Sequence, residues 1–168
     1  RDGKLASSPI KKLADEHTTL VLQPEKLTDA LEEIYALKPN LIITCAYGNL
    51  VPRELLVFPK YGCINVHASL LPKLRGGAPI HRAIMQGEVK TGITIMHMNP
   101  YLDQGDIITQ REIPILDTDT ASTLHDKLKS KDFTPYLSKA PYQAFNLEFI
   151  KSENVNKASH PERLIFNE

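Results

Sequence analysis

Asn65 and His67 stand one residue apart at the end of the apolar run 62–67, GCINVH. Side chains on a strand alternate between faces, so a strand here aims the carboxamide and the imidazole the same way, and Val66 the other. A donor beside an acid/base group suits a reaction that passes through a tetrahedral oxyanion. The amide N–H can hold the developing negative oxygen, and the imidazole, with an ordinary pKa of about 6.5, can move the proton. Asp103 lies in the loop 102–106, LDQGD, after the next long apolar run, where a carboxylate can orient an imidazole and stabilise its protonated form. Taken separately, these signals are weak. N-x-H also describes a hydrogen-bonded structural histidine, and the loop also reads as an Asx-type turn around Gly105, which Asp106 fits better than Asp103.

The elements that must position these residues read as alternating helices and strands. Ser8 and Pro9, ahead of Ile10, Leu13 and Ala14, predict a capped helix to about residue 17. Residues 18–23 (TTLVLQ) suit a short strand, and a helix follows from Pro24-Glu25 to Leu37 on the stripe Leu27, Leu31, Ile34 and Leu37. The run 41–46, LIITCA, has the pattern of a central parallel strand buried on both faces. A short helix over 52–57, the strand 62–67, an irregular stretch over 69–77 and a helix over 78–86 come next. Strands over 91–98 and 107–115 and a helix over 120–129 complete the pattern. The fold class this predicts is α/β: a mostly parallel, Rossmann-like sheet flanked by helices, with its last pair antiparallel. Such sheets carry their sites outside the carboxyl ends of the strands, which is where His67 and the loop after Met98 fall. Beyond Lys129 the rhythm breaks, and residues 131–168 read as a separate, partial β-rich piece.

Between the two polar sites runs Ser69-Leu70-Leu71-Pro72-Lys73-Leu74-Arg75-Gly76-Gly77-Ala78-Pro79-Ile80. The combination NVHASLLPKLRGGAPIHRAI, then TGITIM, then LDQGD, closely resembles the methionyl-tRNA formyltransferase family of 10-formyltetrahydrofolate-dependent enzymes. Residues 5–128 carry the likeness, which includes SPIKKLA, LQPEKL, AYGNLVP and TLHDKL. The resemblance implies that Asn65, His67 and Asp103 are catalytic and that Ser69, Leu70, Leu71 and Pro72 form a folate-binding turn. It also sets Gly48, Asn49, Leu50 and Val51, with Tyr101 and Leu102, around the pterin. The implied reaction transfers the formyl group of 10-formyltetrahydrofolate to the α-amino group of methionyl-initiator tRNA, with no metal. A sugar-nucleotide formyltransferase or a formyltetrahydrofolate hydrolase would use the same three residues, and an inactive folate-binding fragment would keep them. The resemblance further implies that residues 1–130 are a catalytic domain lacking its first strand–helix unit. Residues 131–168 are then a linker and part of a C-terminal β-barrel domain, and Arg1, Lys4, Lys11 and Lys12 a remnant of a tRNA-binding loop.

Bulk properties narrow the classes further. Lys and Arg total 20, as do Asp and Glu, so net charge gives no reason to expect a nucleic-acid coat protein or a membrane-surface binder. An apolar content of 42% and a charged content of 24% are those of a globular chain. Cys45 and Cys63 fall in apolar runs without C-x-x-C spacing, which predicts buried, reduced thiols. His17, His81, His97, His125 and His160 show no ligand spacing, and neither a G-x-G-x-x-G nor a Walker sequence is present. The expected protein is monomeric, away from membranes, and cytoplasmic, either bacterial or organellar.

Overall fold

A computed structural model describes residues 7–129 together with the backbone of 165–166. Helix α1 (Pro9–Glu16) starts where its signals are: the Ser8 hydroxyl accepts from the Lys11 N–H at 3.1 Å, and Pro9 fills the first turn. Strand β1 (Val21–Leu22) is short. The helix expected from Pro24 opens instead as a 3-10 turn over Leu27–Ala30 before α2 (Leu31–Ala36). Lys26, at its N-cap, makes no side-chain capping bond, and the first turn closes tightly through Asp29 N–H to Lys26 O at 2.9 Å. Then follow β2 (Ile42–Cys45), α3 (Arg53–Val57), β3 (Cys63–His67), α4 (Pro79–Met85), β4 (Lys90–His97), β5 (Ile107–Pro114) and α5 (Ala121–Lys129). Strand β6 (Ile165–Phe166) pairs parallel with β1.

The main sheet has the order β2-β3-β4-β5, with helices packed on both faces. The α/β class holds, and so does the antiparallel last pair, β4 with β5. The parallel share is smaller than expected: in this sheet only β2 and β3 run parallel, and β3 pairs antiparallel with β4. The cause lies in the link between β3 and β4. Its first part stays tied to the end of β3, through His67 Nε2 to Leu74 O at 3.0 Å and Ser69 N–H to His67 O at 3.0 Å. After α4, β4 enters beside the end of β3, setting His67 opposite Thr94 and Ile64 opposite His97, and runs the other way.

Register separates two faces. Thr44 pairs with Asn65, Asn65 with Met96, and His67 with Thr94, so these five share one face, with Ile42 and Cys63 one step back along it. Below them, Ala30, Ile34 and Leu55 form a buried cluster against Ile42 and Val51. On the opposite face Ala83, Leu124 and Leu128 pack over Ile93 and Ile113, and Ile64 and Ile95 form a further buried pair. Strand β2 is not buried on both faces. Its residues alternate, leaving Ile43 42% exposed and Cys45 exposed, because it sits at the edge of the sheet beyond the reach of α4 and α5. Cys63, one strand inward, is buried as expected. Its thiol lies 3.5 Å from Leu55 O, and burial pushes its pKa up to about 11.

Of the four N-terminal cations, Lys11 is bound to Asp15 at 2.6 Å, so its charge is locally matched, while Arg1 and Lys4 lie outside the described residues. The expected division at residue 130 and the β-rich piece over 131–168 also lie outside them, apart from β6. Among the described residues no helix is long and apolar enough to cross a membrane.

Candidate active site

The end of β3 brings the two alternating polar side chains to one place. Asn65 Nδ2 lies 3.4 Å from Asp103 Oδ1, and His67 Nδ1 lies 3.7 Å from Asp103 Oδ2. The three residues singled out by type and spacing therefore converge on one carboxylate. His67 and Asp103 have side chains only 8% exposed. Asp103 reaches them from the loop after β4 by adopting a left-handed backbone, φ +49°, a conformation that Asp tolerates better than most residues. Gly105 lets that loop close on β4, since a Cβ there would overlap the His97 carbonyl. The oxygen that faces His67, Oδ2, also accepts from the Gly76 N–H at 2.7 Å, and Arg75 Nε donates to the Asp103 backbone oxygen at 2.8 Å. The loop after β3 and the loop after β4 are thus bound to each other at the acid.

The imidazole is oriented from behind. A carbonyl oxygen can only accept, so the 3.0 Å contact with Leu74 O puts a hydrogen on His67 Nε2 and turns Nδ1 toward Asp103. At 3.7 Å that second contact is an ion-pair distance and not a hydrogen bond. Asn65 is fixed too. A carboxylate can only accept, so the Asn65 edge facing Asp103 is the NH2, and the amide oxygen faces Thr44, whose hydroxyl donates to it at 2.9 Å.

A cavity of about 330 Å³ opens beside this centre. Asn65 and Asp103 line it, along with Tyr47, Asn49, Leu50 and Val51 from the turn after β2 and Tyr101 and Leu102 from the loop after β4. Leu50, Tyr101 and Leu102 are exposed at its rim, while Met96 forms its floor. His67 is not among the lining residues and meets the cavity only through Asp103. Gly48 belongs to the same turn as Asn49 without lining the space. Ser69, Leu70, Leu71 and Pro72 also lie outside it.

Those four residues form a turn in which the Ser69 and Leu71 polar groups are already engaged. Thr94 Oγ1 donates to Ser69 O at 2.6 Å and accepts from Leu71 N–H at 3.1 Å, and Gln110 Nε2 donates to Leu71 O at 2.8 Å. Ser69 itself donates to Lys73 O at 2.7 Å. Sequence reasoning missed Thr44, Thr94 and Gln110 as contributors, and missed the hold of Arg75 and Gly76 on Asp103. A signal existed for Thr44, the one hydroxyl in LIITCA, but its meaning depends on cross-strand register. Among the described residues no cluster of three or more His, Cys, Asp or Glu side chains is gathered that could hold a metal ion.

The site is thus an amide and a supported carboxylate facing a partly apolar cavity at the strand ends of an α/β sheet. Residues 2–139 match the formyl transferase family model, and the chain belongs to that family. It is 60% identical over 130 residues to the methionyl-tRNA formyltransferase of Bacillus subtilis (strain 168), and 58% identical over 130 residues to that of Geobacillus sp. (strain WCH70). Each match takes in 76% of this chain and 41% of the relative, so the chain spans about two fifths of the length of these curated relatives. Among solved structures, the phosphoribosylglycinamide formyltransferase of Bacillus halodurans superposes with a TM-score of 0.61 at 27% identity, over 78% of this chain and 65% of that one.

Proposed function

We propose that this chain is the catalytic part of an enzyme that moves the formyl group of 10-formyltetrahydrofolate onto the α-amino group of methionyl-initiator tRNA. The observation that carries the reading is the meeting of the Asn65 amide and the Asp103 carboxylate at the wall of one cavity, with His67 braced behind the carboxylate. The 58–60% identity to methionyl-tRNA formyltransferases supports the choice of acceptor. The cavity suits a pterin. Its volume is in the range of small-molecule sites, its walls are largely apolar, and Leu50 and Leu102 offer flat-ring contacts at the rim.

In the transfer, the amine nitrogen bonds to the formyl carbon and sheds a proton, while the bond from that carbon to N10 of the folate breaks and N10 gains one. Asn65 serves the first half. One hydrogen of its NH2 faces Asp103, and the other is free for the formyl oxygen as negative charge develops there. Asp103 and His67 serve the proton balance. Asp103, at the cavity wall, takes the proton from the amine and returns one to N10. His67 Nδ1 accepts from the acid when the acid holds the proton, or donates to the carboxylate when the ring itself holds it, and Leu74 keeps that nitrogen aimed at Asp103. No net proton is consumed.

The test compares formyl transfer by the complete gene product from 10-formyltetrahydrofolate to methionyl-tRNA and to an amino-sugar nucleotide. Transfer to the tRNA is the expected result. Preference for the sugar overturns the acceptor assignment, hydrolysis without an acceptor points to the deformylating reaction, and folate binding without turnover points to an inactive binding fragment.

A further inference from the structure

The amide of Asn65 is useful only in one of its two orientations, and one residue outside the catalytic set decides which. Rotation by half a turn exchanges the NH2 for the oxygen. It would set a lone pair against both the Asp103 carboxylate and the developing oxyanion. Asp103 favours the productive orientation, but at 3.4 Å its contact with Nδ2 is long. The shorter bond is on the other edge, where the Thr44 hydroxyl donates to Asn65 Oδ1 at 2.9 Å.

Thr44 is built to supply that hydrogen. It is the register partner of Asn65 on the neighbouring parallel strand, so both backbones fix the pair. Its hydroxyl has other acceptors in range, Ile64 O at 3.4 Å and Met98 Sδ at 3.2 Å, but the first is longer and a thioether accepts weakly. Thr44 also lines the cavity, so it stands next to the reacting groups while contributing through Asn65. A β-branched side chain at this strand position has few rotamers, which limits how far the hydroxyl can swing away. We infer that Thr44 is a positioning residue for the formyl transfer, holding the Asn65 carboxamide with its NH2 toward the formyl oxygen. This inference rests on the proposed function.

The experiment uses Thr44→Val, which keeps the shape and removes the hydroxyl, and Thr44→Ser, which keeps the hydroxyl. Thr44→Val is expected to lower kcat about tenfold, the effect of one lost hydrogen bond on the barrier, with KM for the folate little changed and a modest drop in melting temperature for the unpaired amide oxygen. Thr44→Ser restores most of kcat. In an Asn65→Ala background, Thr44→Val has no further effect, since there is no amide left to orient. Wild-type kcat in Thr44→Val overturns the inference, and so does an equal loss in the Asn65→Ala background. An activity-independent arm follows the side-chain amide resonances of Asn65 by NMR in wild-type protein and in both Thr44 variants. A shift in Thr44→Val that reverts in Thr44→Ser supports the positioning, and unchanged resonances in Thr44→Val overturn it. If Asn65→Ala keeps full activity, the role given to Asn65 fails, and the resonances alone then decide whether Thr44 orients the amide.

Discussion

His67 Nε2 lies 3.0 Å from the carbonyl oxygen of Leu74, seven residues further along the chain, and this contact fixes which ring nitrogen meets Asp103. The bond also closes the loop after β3 on itself, so His67 and the turn that follows it are one structural unit. Replacing His67 by Ala leaves the Leu74 carbonyl without its donor and Asp103 without its neighbouring ring. Formyl transfer should fall by about a hundredfold or more, in the range typical of lost general acid–base catalysis. Stability should drop by about 1–3 kcal/mol for the orphaned acceptor, leaving a folded protein. Initial rates and a thermal melt read both quantities; a rate within about threefold of wild type would remove His67 from the mechanism.

Asp103→Asn separates charge from shape. Asn is comfortable in the left-handed backbone at this position, and its oxygen can still accept from the Gly76 N–H. Its NH2 then faces the NH2 of Asn65, donor against donor. The expected outcome is a loss of transfer of about a hundredfold with a melting curve close to wild type. Asp103→Leu should unfold more easily as well, because the left-handed backbone costs a branched apolar residue about 1–2 kcal/mol and Gly76 loses its acceptor. Equal activity in wild type and Asp103→Asn would contradict a proton-carrying carboxylate.

Leu50 tests the cavity rather than the chemistry. The residue is 73% exposed, so it does little for the fold, and replacement by Ser should shift stability by less than about 0.5 kcal/mol. If a pterin covers it, losing that apolar contact should raise KM for 10-formyltetrahydrofolate by roughly tenfold, from about 1.5 kcal/mol of burial. The same kcat at saturating folate is expected. An unchanged KM would move the ring elsewhere.

Local features of this fold were readable in the sequence, and features set by distant pairing were not. Ser8 and Pro9 specify the start of α1 because capping involves residues within one turn. The common face of Asn65 and His67 follows from alternation alone. The run LIITCA has the same appearance whether one face or both are covered, so the exposure of Ile43 and Cys45 depends on where β2 falls in the sheet order. Met96 reads as ordinary strand filling until antiparallel pairing sets it beside Asn65. The reach of Asp103 to His67 likewise depends on the Gly76 and Arg75 contacts, which join segments 27 and 28 residues apart.

Gly92 is a packing requirement of the site face. A Cβ there would overlap the Arg111 carbonyl and stand 2.7 Å from Leu70 Cδ2, so a strand backbone and the S-L-L-P turn both press on it. Gly92→Ala should destabilise the protein by about 1–3 kcal/mol, the usual cost of overpacking, read as a lower denaturation midpoint. The contrasting substitution is Gly77→Ala, where a Cβ meets nothing within 4 Å. Its midpoint should stay close to wild type, and equal losses at the two positions would show that space is not the cause.

Asp119 gives a pH test away from the cavity. Its Oδ2 accepts from Lys127 Nζ at 2.6 Å and from Leu116 N–H at 2.8 Å, and its Oδ1 from the Thr123 hydroxyl at 3.1 Å, tying the approach to α5 to the helix itself. The Lys127 bond first, then the Leu116 N–H, hold its carboxyl below the ordinary carboxylate range. A depressed folded-state pKa means that the unfolded chain binds its proton first as pH falls. The contribution to stability is therefore complete above the unfolded value of about 3.9 and lost as pH drops through the lower folded value. Asp119→Asn should melt below wild type at neutral pH, and the gap should close as the pH is lowered to about 2. Melting temperatures of the two proteins across that range make the comparison. A gap that stays constant with pH would mean that the hydrogen-bond geometry at residue 119, and not its charge, supports α5.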